Sequence, residues 1–74
     1  MIRFKLKELI TEKSFREGRR ITLQEVSEGT GIHKTTLSKM QQPTTHNVTT
    51  SNIDLLCKYF DCTVQDLMEY ISEQ

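Results

Sequence analysis

Apolar residues recur three and four positions apart along most of the chain. Ile53, Leu56, Cys57 and Phe60 stand at i, i+3, i+4 and i+7, and Val64, Leu67, Met68 and Ile71 repeat that spacing. Each set lines one face of a helix with an apolar stripe. Ile2, Leu6, Leu9 and Ile10, with Lys13 extending the row, outline an earlier helix. Ile2, Phe4 and Leu6 also alternate with period two, so the first residues fit an extended start as well.

Helix beginnings are marked independently. Thr22 is followed three residues later by Glu25, the spacing at which each side chain can satisfy a free backbone N–H of the other. Ile21 and Val26 flank that cap as a hydrophobic staple. The same offset recurs as Ile32/Leu37 around His33, Val48/Ile53 around Thr49 and Cys62/Leu67 around Thr63. Together these patterns predict helices over about 4–14, 22–29, 33–41, 50–60 and 64–71 with no sheet required, an all-α domain of five helices.

Between the second and third helices lies only "EGTGI", where Gly29 and Gly31 can take the positive φ of a sharp turn. Two short helices joined so tightly form a helix-turn-helix unit. The third helix turns Ile32, Leu37 and Met40 inward, which leaves Lys34, Thr35, Ser38, Lys39 and then Gln42 as an outward polar stripe.

Composition sets the scale. A chain of 74 residues buries roughly 60% of its unfolded surface and has room for one modest core but no deep cleft, so a single domain over residues 1–74 is expected. With 35% hydrophobic and 27% charged residues it reads as folded rather than disordered. The N-terminal "MIRFKLKELI" is too charged for a secretory leader, and no later run is apolar enough for a membrane span. A cytoplasmic protein with no membrane partner is expected. In that compartment Cys57 and Cys62 are thiols, and the sequon at Asn47 carries no meaning.

The formal net charge is zero, but its distribution is lopsided. Residues 1–42 hold nine of the ten basic side chains against five acidic ones, a balance of +4, and residues 43–74 hold the complement, −4. A basic surface on one half and an acidic one on the other is the consequence.

The sequence "ITLQEVSEGTGIHKTTLSKM" resembles the helix-turn-helix core of the Cro/C1-type family of bacterial and phage regulators. "NVTTSNIDLLCKYFDCTVQDLMEY" is similar to the tail of its small single-domain members. The likeness runs from about Leu6 to Tyr70 and implies a lambda-repressor-like fold and a DNA-binding transcriptional regulator, expected to be a repressor. It further implies that the third helix lies in the major groove of duplex DNA, with Lys34, Thr35, Ser38 and Lys39 facing base edges. Thr22, Leu23 through its backbone, Gln24 and Gln42 then fall where the family contacts phosphates, and His33 and Asn47 beside helix ends join them. The side-chain chemistry agrees: Lys donates to guanine, and Thr bonds either base type or touches a thymine methyl.

Three positions depart from the family's pattern. Ser27 stands where a small alanine is usual, which leaves a hydroxyl to satisfy. Gln41 replaces a glutamate that often pairs with an arginine of the first helix. "SFREGRR" (14–20) reads as an insertion between the first two helices, and it brings Arg16, Arg19 and Arg20 near the phosphate-binding start of the second.

Other chemistries find less support. His33, His46, Cys57 and Cys62 lack zinc-knuckle spacing, and Cys57 belongs to an apolar stripe, so no metal and no cofactor is expected. Asp54, Asp61 and Asp66 sit near helix ends as caps, and no motif of nucleotide or ester chemistry occurs, so no enzyme is expected. The rival reading uses the same fold as a protein-interaction module, such as an antitoxin-like partner, and the neutral total charge favours it. One such domain offers about four base-reading side chains, too few for the roughly 10⁻⁸–10⁻¹¹ M of specific regulators, so a homodimer is expected. The last helix has more apolar surface than one inner face needs, which puts the dimer contact at Leu67, Tyr70 and Ile71, with Ile2 and Phe4 as second choice.

Overall fold

The computed structural model describes residues 1–42 and 47–72. The helix stop expected at Pro43 and the loop position expected for His46 lie outside them. Among the described residues the chain forms five helices, α1 (Leu6–Glu17), α2 (Leu23–Thr30), α3 (Lys34–Met40), α4 (Thr50–Phe60) and α5 (Val64–Leu67). Two short strands, β1 (Ile2–Phe4) and β2 (Met68–Tyr70), frame them. The architecture is mostly helical but not strictly all-α, a correction to the sequence expectation.

The strands account for both shortened helices. β1 and β2 pair antiparallel with Ile2 opposite Tyr70, Arg3 opposite Glu69 and Phe4 opposite Met68. The ladder is extended by Ile71 N–H donating to the Met1 carbonyl at 2.7 Å and Lys5 N–H donating to the Leu67 carbonyl at 2.6 Å. On the outer face Arg3 reaches Glu69 at 2.8 Å and Glu8 at 2.6 Å. The period-two reading of Ile2, Phe4 and Leu6 describes the chain start, so α1 begins at Leu6 rather than near residue 4. At the other end Met68, at φ −146° and ψ 153°, leaves the helix after a single turn of α5. The stripe expected to continue from Val64 to Ile71 is broken there: Leu67 is fully buried, while Val64 and Ile71 are exposed.

At its C-terminal end α1 runs on to Glu17, so half of the expected insertion is an added helical turn. Gly18 ends it at φ 66°, and Arg19 N–H closes back onto the Ser14 carbonyl at 3.2 Å. The Ser14 hydroxyl donates to the Ile10 carbonyl and accepts the Ile21 N–H at 3.0 Å, which pins the chain where it turns toward α2. The core gathers Phe4, Leu6, Ile21, Val26, Leu56 and Phe60, among others, from nearly every element.

Candidate nucleic-acid interface

Helix α2 begins as its sequence predicts, with one difference. Thr22 Oγ1 accepts the Glu25 N–H at 3.1 Å. The reciprocal half of the capping box is not made: the Glu25 carboxylate binds Arg19 instead, where a charge-assisted pair is stronger than a bond to a neutral N–H. The first-turn N–H groups of Leu23 and Gln24 have no helical carbonyl behind them, and Thr22 and Gln24 are exposed.

The turn into α3 is held by hydroxyls. Gly31 adopts φ 79° and donates its N–H to the Ser27 carbonyl at 2.8 Å. Ser27, in place of the family's alanine, donates its hydroxyl to the Ile32 carbonyl at 2.6 Å, so the polar group is fully used. Buried Thr30 donates to the Val26 carbonyl and accepts the Ile32 N–H, so both hydroxyls fix the direction in which α3 departs. Gly29 does not take positive φ. It is needed for closeness: a Cβ there would collide with the ring of Tyr59 on α4. The periodic pattern does not single out Tyr59, because it lies beside rather than on the α4 stripe; the glycine facing it is the available clue.

Helix α3 presents two distinct faces. Leu37 and Met40 are fully buried and Ile32 is nearly so, whereas Lys34, Thr35, Ser38, Lys39 and Gln42 are exposed or half-buried at most. His33 occupies the N-cap without a side-chain capping bond, and its exposed ring points to no protein partner among the described residues. Asn47 is exposed too. Among the described residues neither Lys34 nor Lys39 has an ion-pair partner, so both charges remain available to a ligand.

The arginines of residues 14–20 divide. Arg19 contacts Glu25 at 2.6 Å and Glu17 at 3.0 Å, and Glu17 also takes Lys13 at 2.7 Å. Hydrogen bonding to Glu25 holds the Arg19 pKa above its ordinary value, while Lys13 keeps Glu17, and Arg19 keeps Glu25, below the usual carboxylate range. Arg16 and Arg20 are exposed and make no ion pair among the described residues. Lys13 also lies 5.1 Å from the centroid of the Tyr59 ring, which ties this charged cluster to the α2–α4 contact.

Of the residues expected at a dimer surface, Tyr70 is 72% exposed and Ile71 is exposed, but Leu67 contributes nothing to any surface. Its side chain fills the core, because the strand that follows draws α5 inward. No helix among the described residues is long and apolar enough to cross a membrane. No group of three or more His, Cys, Asp or Glu side chains among them could hold a metal ion. Burial pushes the Cys62 thiol up to about 11, with Cys57 beside it adding to the shift, and both cysteines are free.

A pair of short helices locked by a glycine turn, the second with a fully buried inner face and an uncompensated cationic outer one, defines a helix-turn-helix DNA-binding domain. A family model for the Cro/C1-type HTH DNA-binding domain matches residues 5–73. The chain belongs to that family. No curated protein and no solved structure matches it.

Proposed function

We propose that the protein is a sequence-specific transcriptional repressor that reads duplex DNA as a homodimer. In this reading α3 enters the major groove, where Lys34, Thr35 and Ser38 contact base edges and Lys39 sits at the groove wall. Thr22, the backbone of Leu23, Gln24, His33, Gln42 and Asn47 hold phosphates on either side. Arg20 supplements them with a free charge, and Arg19 joins only by giving up its carboxylate partners. The observation that carries the reading is the pairing of Lys34 and Lys39, exposed and without carboxylate partners among the described residues, with fully buried Leu37 and Met40 on the opposite side of the same two turns. A surface helix with no ligand has no need to leave its cations uncompensated beside a chain of zero net charge.

Two copies double the contact set, and two-fold symmetry sets the two α3 helices about one DNA turn apart on a palindromic site. Repression then needs only occupancy, since a dimer lying across a promoter denies it to polymerase. Selection from a pool of randomised duplexes tests the reading directly, because the pool itself supplies the operator. An enriched palindrome is expected, and a Lys34→Ala protein should enrich a looser one. A pool that remains random, or an unchanged motif with Lys34→Ala, would sink the proposal.

A further inference from the structure

β2 has an open backbone edge. The Met1/Ile71 pair exchanges both hydrogen bonds, at 2.9 and 2.7 Å. Antiparallel ladders alternate, so the Ile2/Tyr70 pair is the non-bonded kind, with N–H and C=O turned away from one another. Tyr70 therefore aims one donor and one acceptor outward from β2, and neither has a partner among the described residues. The same alternation sends the Met68 carbonyl and the Ser72 N–H outward. The Met68 N–H is already given to the Val64 carbonyl.

We propose that a second copy of this chain docks on that edge, β2 against β2, to make a continuous four-stranded antiparallel sheet with Tyr70 on the two-fold axis. The proposal rests on the dimeric reading of DNA binding and specifies how the copies meet. An antiparallel strand pair centred on one residue satisfies that residue by its own copy: each Tyr70 N–H donates to the other Tyr70 carbonyl. Two further bonds run from Ser72 N–H to the Met68 carbonyl of the other chain. The ladder stops there because the Met68 N–H is committed.

Charge and side chains favour a copy over an unrelated strand. In this register Glu69 lies opposite Ile71 of the second copy rather than opposite another Glu69. Its charge is already balanced by Arg3 at 2.8 Å, so no bare like charges meet. The edge carries no lysine, proline or bulge of the kind that blocks strand addition. Tyr70 shares the sheet face of Phe4 and Met68, beside an apolar groove lined by Ile53, Cys57, Val64 and Met68. Two copies of the tyrosine, adjacent across the axis, extend over the two grooves. Asp66 and Glu69 keep this acidic end away from the duplex.

Sedimentation without DNA, followed by sedimentation on a long palindromic duplex, gives the first test. Tyr70→Pro removes only the outward N–H and leaves the β1–β2 bonds intact. It should weaken self-association about tenfold or more, as expected when reciprocal hydrogen bonds are lost. A wild-type dimer that Tyr70→Pro leaves unweakened overturns the strand pairing and leaves the dimeric reading standing. One chain per duplex overturns both. The register is checked by cross-linking in a Cys57→Ala, Cys62→Ser background under mild oxidant. Tyr70→Cys places its Cα atoms about 5.5 Å apart, within disulfide reach, and should cross-link rapidly, whereas Ser72→Cys is set far from its copy and should not. Equal rates for the two variants overturn the pairing even if the proline variant fails to fold.

Discussion

Arg19 grips both carboxylate oxygens of Glu25, at 2.8 and 2.6 Å, and so ties the stretch after α1 to the first turn of α2. The pair stands where an incoming phosphate would pass. It therefore decides which arginine of this stretch adds to DNA affinity.

Arg20, which has no such partner among the described residues, should act on phosphate directly. Arg20→Ala is expected to reduce the slope of log affinity against log salt by about 0.9, the value of one neutralised phosphate. Arg19→Ala should instead bare Glu25 and Glu17 and weaken binding to every duplex alike. Anisotropy titrations across a salt series separate the two, and equal slopes for wild type and Arg20→Ala would show that residue to be merely solvated.

Base reading should be lost residue by residue along α3. Lys34→Ala and Thr35→Ala are each expected to cost about 1–3 kcal/mol of discrimination at particular base pairs, with the fold intact because both side chains are exposed. Lys39→Ala should lower affinity for cognate and scrambled duplexes by the same factor. Competition against single-base operator variants measures both, and preserved discrimination in the first two variants would move the base contacts elsewhere.

Gly29→Ala should destabilise the fold even though alanine is the better helix former. Overpacking against Tyr59 costs about 1–3 kcal/mol, against a gain of about 1 kcal/mol in helix propensity. With Tyr59→Ala already in place the same change should become stabilising. Urea denaturation of the four proteins of this cycle reads the sign directly, and a loss of equal size in both backgrounds would mean that the ring is not what the glycine accommodates.

Acid should loosen the molecule only below the ordinary carboxylate range. Glu17, Glu25 and Asp66 have folded-state pKa values below their ordinary values of 4.5, 4.5 and 3.8, set by Lys13, by Arg19 and by the Thr63 cap. A depressed pKa stabilises the fold above the unfolded value, and that contribution disappears as pH falls through the folded one. Melting temperatures should thus be flat from neutral pH to about pH 5 and fall below it. Glu17→Gln with Glu25→Gln should lower the plateau and flatten the acid limb, and an acid limb as steep as wild type's would place the responsible carboxylates elsewhere.

Much of this is legible in the sequence because it is local. Thr22, Thr49 and Thr63 each cap the helix that their spacing announces, and the buried and exposed sides of α3 follow from a 3.6-residue period that nothing distant overrides. What stays hidden depends on distance. Met68 fits a helical stripe as well as it fits a strand, and only Phe4, far away in sequence, decides between them. The surplus of apolar residues at 64–71 is plain in the sequence, yet that surplus does not say that Leu67 is the one turned inward. Arg19 looks free in the sequence because its partner Glu25 lies across a change of element, where no periodicity links the two.

The same strand pairing bears on when the protein becomes complete during its synthesis. Every hydrogen bond that shapes the turn from α2 to α3 spans five residues or fewer, as with Ser27 and Ile32, so that unit can take form while the chain is still being extended. β1 has no such freedom: its ladder waits for residues 67–71, the separation of greatest entropic cost in the fold. Until those residues leave the ribosome, Phe4 lacks its partner strand and Tyr70 does not yet exist to present an edge. A nascent chain thus has its DNA-reading helix before it has the means to pair with a second copy, and on this account tight operator binding begins only after release.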